Sequence, residues 1–222
     1  GTASNVTYEY GLGFTPDFVW VKNRTATYGG NISDSTRGAG KHLYTDSTDA
    51  EQTNSTFVTS FDTGGFSVGN NAYVNENGHD YVAWAFKANG GTTSSNTDGG
   101  ITSTVQTNTD AGFSIIKYTA TASGTQTVGH NLGVAPELII QKKTSGSEDW
   151  YVYVPPPTID SNYNYLVLNS TAAKGTTGSA VPTSSVFNPV SQSGDYIAYA
   201  FVSVDGFSKF GSYTGTGTTG NA

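Results

Sequence analysis

Paired carboxylates, clustered histidines and an activated serine are the groups with which such a chain would do chemistry, and the carboxylates can be checked first. Sandwich-fold glucanases set acidic residues at alternate positions of one strand, so that acid and nucleophile or base converge on one bond. The acidic groups here are Asp46, Asp49 and Glu51, then Glu76 with Asp80, then Glu148 with Asp149. None alternates along an apolar strand and none recurs as a pair elsewhere, so they read as solvated turn carboxylates. His42, His79 and His130 lack the close spacing of a zinc ligand set. No Gly-x-Ser-x-Gly elbow precedes a helical pattern, and no helix follows the Gly-rich stretch 211–220 to hold a phosphate. The expectation is a chain without catalytic residues.

Two kinds of binding chemistry stay open. Asn70, Asn71, Asn75, Glu76, Asn77 and Asp80 put hard oxygen donors into one turn-rich segment, which makes Asn75, Glu76 and Asp80 the candidate ligands should the chain take calcium. The same segment also reads as a loop built on Asx turns, and no other cofactor is suggested. Aromatic rings beside Asn and Asp suit sugar recognition, because a ring face packs on the apolar face of a pyranose. Tyr28, Tyr73, Trp150 and Tyr163 are the glycan-binding candidates. The run Trp150-Tyr151-Val152-Tyr153-Val154 before three prolines also reads as an edge strand closed by Pro155.

Composition says what must carry these groups. The 222 residues include 28 Gly, 14 Tyr and 11 Phe, with only 12% charged. Aromatic and β-branched residues favour pleated strands, Gly and Asn favour tight turns, and helical surfaces would need more Lys, Glu and Arg. An all-β chain is implied. Its net charge of -7 and its ten scattered Lys and Arg oppose nucleic-acid binding. No apolar run is long enough for a membrane span, and the absence of Cys leaves no disulfide or thiolate site.

The chain is also written twice. Gly-Leu-Gly-Phe-Thr-Pro-Asp-Phe-Val-Trp-Val-Lys at 11–22 answers Asn-Leu-Gly-Val-Ala-Pro-Glu-Leu-Ile-Ile-Gln-Lys at 131–142. His42-Leu43-Tyr44 answers Tyr165-Leu166-Val167, and Asp80-Tyr81-Val82-Ala83-Trp84-Ala85-Phe86 answers Asp195-Tyr196-Ile197-Ala198-Tyr199-Ala200-Phe201. Three blocks in one order fix two tandem units. A fourth block, Gly112-Phe113-Ser114-Ile115-Ile116-Lys117-Tyr118-Thr119, opens the second unit, is missing from the first, and returns at 206–215 as an orphan copy. Phe207, Phe210 and Tyr213 of that copy are candidates for an assembly strand.

Limits follow at 1–88 for the first β-sandwich unit, 89–100 for a Gly/Ser/Thr connection with nothing to bury, 101–216 for the second unit, and 217–222 for a tail. In the first unit the run Phe18-Val19-Trp20-Val21-Lys22 after Pro16 suits a strand covered on both faces, and Tyr81, Ala83 and Ala85 share one face of their strand while Val82, Trp84 and Phe86 share the other. Residues 57–61 and 65–68 read as a hairpin around Asp62-Thr63-Gly64.

Residues 13–24 and 80–87, with Asp34-Ser35-Thr36-Arg37-Gly38-Ala39-Gly40-Lys41 and Asn169-Ser170-Thr171-Ala172-Ala173, carry a resemblance. The chain resembles the tandem concanavalin-A-like sandwich modules of virion proteins of marine tailed bacteriophages, often found within long tail-fibre-like polypeptides. The resemblance implies two antiparallel jelly-roll sandwiches and a non-catalytic virion structural protein, a fibre or capsid-decoration module. Its implied partners are other virion proteins, copies of itself and host-surface glycans, and it transfers no catalytic residue. The second unit has no clear counterpart of 34–41. A soluble carbohydrate-binding lectin, or a subunit of a cellular extracellular filament or adhesin, are the other readings of the same features.

Overall fold

The computed structural model describes the backbone of residues 4–7 and residues 11–121, 126–154, 163–177, 179–189 and 192–217. The first repeat contributes β1 (Ser4–Thr7), β2 (Phe18–Asn23), β3 (Asn31–Asp34), β4 (Lys41–Tyr44), β5 (Gln52–Thr53), β6 (Val58–Asp62), β7 (Gly65–Val68), the one-turn helix α1 (Ala72–Asn75) and β8 (Tyr81–Phe86). The second contributes β9 (Ser94–Asn96), β10 (Ser103–Asn108), β11 (Phe113–Ala120), β12 (Val128–Gly129), β13 (Leu138–Lys143), β14 (Tyr151–Val154), β15 (Asn164–Val167), β16 (Gly175–Thr176), β17 (Val186–Phe187) and β18 (Gly194–Phe201). Among the described residues every pairing between these strands is antiparallel, with one parallel bridge from Ile101 to Val128, and the protein is all-β as its composition implies.

Among the described residues four sheets result, in the orders β1-β7-β6, β5-β4-β3-β2-β8, β16-β15-β14-β13-β18-β11-β10-β9 and β12-β17. Alternation along the central strands explains how they stack. On β2, Val19 and Val21 point to a core shared with Phe57, Val58, Phe66, Val68 and Val74, against the three-stranded sheet. Phe18, one position along, points the other way. It packs with Ile32 and Leu43 against Phe113, Ile115, Trp150, Ile197, Tyr199 and Phe201 of the second repeat. The opposite face of the eight-stranded sheet carries Ile116, Tyr118, Ile139, Tyr196 and Ala198, covered by Val128 and Phe187 of the two-stranded sheet. Each repeat thus has a core of its own, and a third core of aromatic rings lies between them. The strand faces inferred for 81–86 hold: Tyr81 and Ala83 join the first repeat's own core, and Phe86 joins the shared one.

The hairpin at 58–68 forms as expected, with Asp62 opposite Gly65 and Gly64 at a φ of 82° that suits glycine. Three expectations change. The segment 89–100 is not an unburied connection. Asn96 is buried in β9, and the buried Asp17 carboxylate accepts the N–H groups of Ala88, Gly90 and Gly91. Strand β14 is not an edge strand, since β13 and β15 flank it. The orphan copy forms no strand. Among the described residues from 202 onward, the pairing is one isolated bridge, Val204 to Ser208. The proline run 155–157 and the tail from 218 onward lie outside the described residues.

Candidate functional site

Buried polar chemistry concentrates between the repeats and is sealed there. Arg37 Nε sits 2.5 Å from Asp34 Oδ2, and Tyr199, from the other repeat, donates its hydroxyl to the same oxygen at 2.6 Å. Arg37 also donates to the Ile32 carbonyl and approaches Glu51 at 3.3 Å. Burial pulls the guanidinium down, but Asp34, Tyr199 and Glu51 together raise it, so it stays charged; burial pushes the Tyr199 phenol well up. All three groups are shielded from water, so this triad joins elements and offers no route to a substrate. The 34–41 segment, which lacks a clear counterpart in the second repeat, supplies two of its three members.

The histidines do not converge. His42 is stacked on Phe57 at 3.6 Å, and burial lowers its pKa to about 4. His130 donates Nε2–H to the Thr183 carbonyl and accepts the Leu132 N–H at Nδ1, an arrangement of a neutral ring, and burial lowers its pKa. His79 accepts from Asn23 Nδ2. In the asparagine-rich segment, Asn71 caps α1 by accepting the Tyr73 N–H, Asn75 donates to the Gly69 carbonyl, and the backbone N–H groups of Glu76 and Asp80 donate to Tyr81 and Thr25. Among the described residues no three acidic or imidazole side chains gather as metal ligands.

An open aromatic pocket of about 340 Å³ lies on the first repeat and offers a candidate site. Trp20 of β2 and Trp84 of β8 are directly opposed in the antiparallel register, and their rings lie 5.3 Å apart at 52°. Trp84 is 46% exposed. Lys22, Thr27, Tyr28, Thr45 and Asp46 add polar groups, and Leu168 closes one side from the second repeat. Lys22 Nζ donates to the carbonyls of Asn23 and Tyr28, which holds the 24–30 loop down. Glycine at 29 and 30 leaves the room that neighbouring side chains occupy. A Cβ on Gly29 would stand 2.0 Å from Asp46 Oδ1, and one on Gly30 would stand 2.7 Å from Trp20 Nε1.

The internal repeat explains why there is space. Residues 11–22 answer 131–142 at a constant offset, and carrying that offset on sets Gly30 opposite Trp150, as the pairs β2–β3 and β13–β14 require. Trp150 is wholly buried, and its Nε1–H donates to the Tyr44 carbonyl across the repeat boundary. The pocket therefore lies where the second repeat carries an indole. Of the four aromatic candidates, Tyr28 lines this pocket and Tyr73 lies against Tyr28, ring centres 5.0 Å apart and tilted by 43°. Trp150 and Tyr163 are core residues, Tyr163 stacked on Tyr153 at 4.7 Å, and neither can offer a face to a sugar. Trp20, Trp84, Lys22 and Asp46 were not singled out. The signal was the exchange of Gly-Gly for Asp-Trp between repeats. Phe207 and Tyr213 are 70% and 90% exposed, while Phe210 leans on Phe201 at 5.7 Å.

No curated protein and no solved structure matches the chain. A family model described as a domain of unknown function, DUF7483, matches residues 1–222, and with its whole length covered the chain belongs to that family.

Proposed function

We propose that the chain is a non-catalytic structural module of a virus particle's outer surface, a pair of concanavalin-A-like jelly-roll sandwiches that presents a saccharide-binding pocket. It assembles there with other particle proteins and with copies of itself. Support for the sandwich reading comes from the two separate repeat cores, each between a large and a small sheet. The resemblance to phage virion modules supports the location.

The carrying observation is the Trp20–Trp84 pair over Lys22, Tyr28 and Asp46. Two tilted indoles give apolar faces to a pyranose ring, and an exposed carboxylate and hydroxyls take its OH groups, which is the composition of a small-ligand site. A glycan array probed with the full chain tests this reading. Binding to a defined set of surface glycans is expected, with at least about tenfold weaker binding for Trp84→Ala, the loss of one well-packed aromatic contact. No bound glycan, or binding untouched by that change, would remove the pocket from the function. Labelling of intact particles with an antibody to the chain separates a particle component from a secreted lectin or a cellular filament.

A further inference from the structure

The second repeat shows the corner of the aromatic pocket in a closed form. In the first repeat the Thr45 N–H donates to the Gly30 carbonyl at 2.8 Å, and in the second the Leu168 N–H donates to the Trp150 carbonyl at 3.0 Å. That shared bond sets Gly29 and Gly30 against Asp149 and Trp150, and Thr45 and Asp46 against Leu168 and Asn169. The Trp150 indole fills the second repeat's corner. Asn169 accepts the Trp150 N–H at 2.8 Å, and its amide donates to the Asp149 carboxylate at 2.8 Å. Amide and acid satisfy each other there.

The first repeat lacks both partners and has an acid in place of the amide. Gly29 offers Asp46 no side chain, and Gly30 leaves the place of the indole open. Asp46 is exposed at the pocket wall, and among the described residues no hydrogen bond or ion pair holds its carboxylate. Burial first, then Tyr73, Asp49 and Asp46, raise the neighbouring Tyr44 phenol, so two carboxylates make this corner negative.

Lys22 is the cation of the pocket wall, and its ammonium is spent on the backbone. It donates to the carbonyls of Asn23 and Tyr28 at 2.6 and 2.7 Å. Its counterpart Lys142 does the same, donating to the carbonyls of Lys143 and Thr48 at 3.1 Å. A lysine used alike in the repeat that has no such pocket is a loop fastener. The unmatched group in the first repeat is the Asp46 carboxylate.

We infer that the pocket selects a saccharide with a free ammonium group, an amino sugar whose nitrogen carries no acyl group. The inference rests on the saccharide reading above and narrows it. The sugar ring lies on Trp84 and Trp20, and the ammonium beside it takes Asp46. A hydroxyl could donate to the same oxygen, but an ammonium makes the stronger charge-assisted bond and is also drawn to the indole faces. An acetylated nitrogen loses the charge and with it both gains.

Three β-1,4-linked tetramers that differ only at C2 test this by titration calorimetry on the full chain: glucosamine, N-acetylglucosamine and glucose. An exposed ion pair alone contributes little, so the ion pair and the cation–π contact together should favour the glucosamine tetramer by at least about fivefold over the other two. Asp46→Asn places there the amide that the second repeat carries, at an exposed site that leaves the fold intact. It should erase the preference while binding of the glucose tetramer changes by less than about twofold, the effect of one exposed neutral contact. Equal binding of the three tetramers, or a preference that survives Asp46→Asn, overturns the inference and leaves a saccharide pocket standing. Choline at matched concentration should not displace the glucosamine tetramer. Displacement would mean that a bare cation suffices, and would overturn the inference as well. Binding of no saccharide, on the array or here, removes the pocket reading and this inference with it.

Discussion

Tyr199 of the second repeat donates its phenol proton to Asp34 of the first at 2.6 Å, on the same carboxylate oxygen that Arg37 holds at 2.5 Å. One buried charge pair is thereby completed from both repeats. Arg37→Leu would strand the Asp34 carboxylate away from water and is expected to cost about 3 to 5 kcal/mol. Tyr199→Phe, which removes one donor to a charged acceptor, should cost about 1.5 to 3 kcal/mol. Urea unfolding midpoints check both, and a single transition in each profile is expected because the lost contact belongs to the shared core.

Asp17 ties the segment between the repeats, accepting from Ala88, Gly90 and Gly91 N–H and from Ser35 Oγ at 2.7 to 2.9 Å. Asp17→Ala frees those donors to water and is expected to cost about 3 kcal/mol, two charge-assisted bonds' worth. Limited proteolysis should then cut within 88–100, where the parent chain resists.

His42 gives stability a pH dependence of definite sign. Burial lowers its pKa to about 4 in the folded chain, against an ordinary value of 6.5, so between those values the unfolded chain binds more protons. Stability is full above about pH 6.5 and falls as pH drops toward 4, by at most about 3 kcal/mol from this ring. His42→Phe, placed against Phe57, should flatten that slope. His130, lowered by burial as well, leaves a residual slope of the same sign. Thermal melts at pH 7, 5.5 and 4.5 measure the difference.

Gly30→Ala puts a methyl group 2.6 Å from Thr45 Oγ1 and 2.7 Å from Trp20 Nε1. The expected loss is about 1 to 3 kcal/mol, the range for overpacking a site that can partly yield. Glycan binding should fall with it, whereas a change at the distant exposed Lys117 should move neither. Differential scanning calorimetry and the same array give both readings.

Much of the architecture was legible in the residues. The continuous run Phe18-Val19-Trp20-Val21 asks for cover on both faces, and the structure gives Val19 and Val21 one layer and Phe18 another. What the run could not say is that the second layer belongs to the other repeat, because periodicity reports burial and not the partner. Trp150 reads as a glycan-binding ring because aromatics beside Asn and Asp suit sugars, yet tertiary packing takes it across the repeat boundary to Tyr44. The 206–215 copy has the sequence of β11 without its conformation, since strand formation depends on pairing and not on a segment's own residues alone. Asp46 and Lys22 were legible only through Gly29 and Gly30, whose missing side chains make the space that these groups line.

The wall of rings between the repeats, Phe18 and Phe86 facing Phe113, Tyr199 and Phe201, has a bearing on how such chains lengthen. Half of this molecule made alone would show a greasy flank to the solvent and would clump or twin. Growth of an array from this unit is therefore expected in even steps, two copies at a time, each newcomer arriving with its own shield.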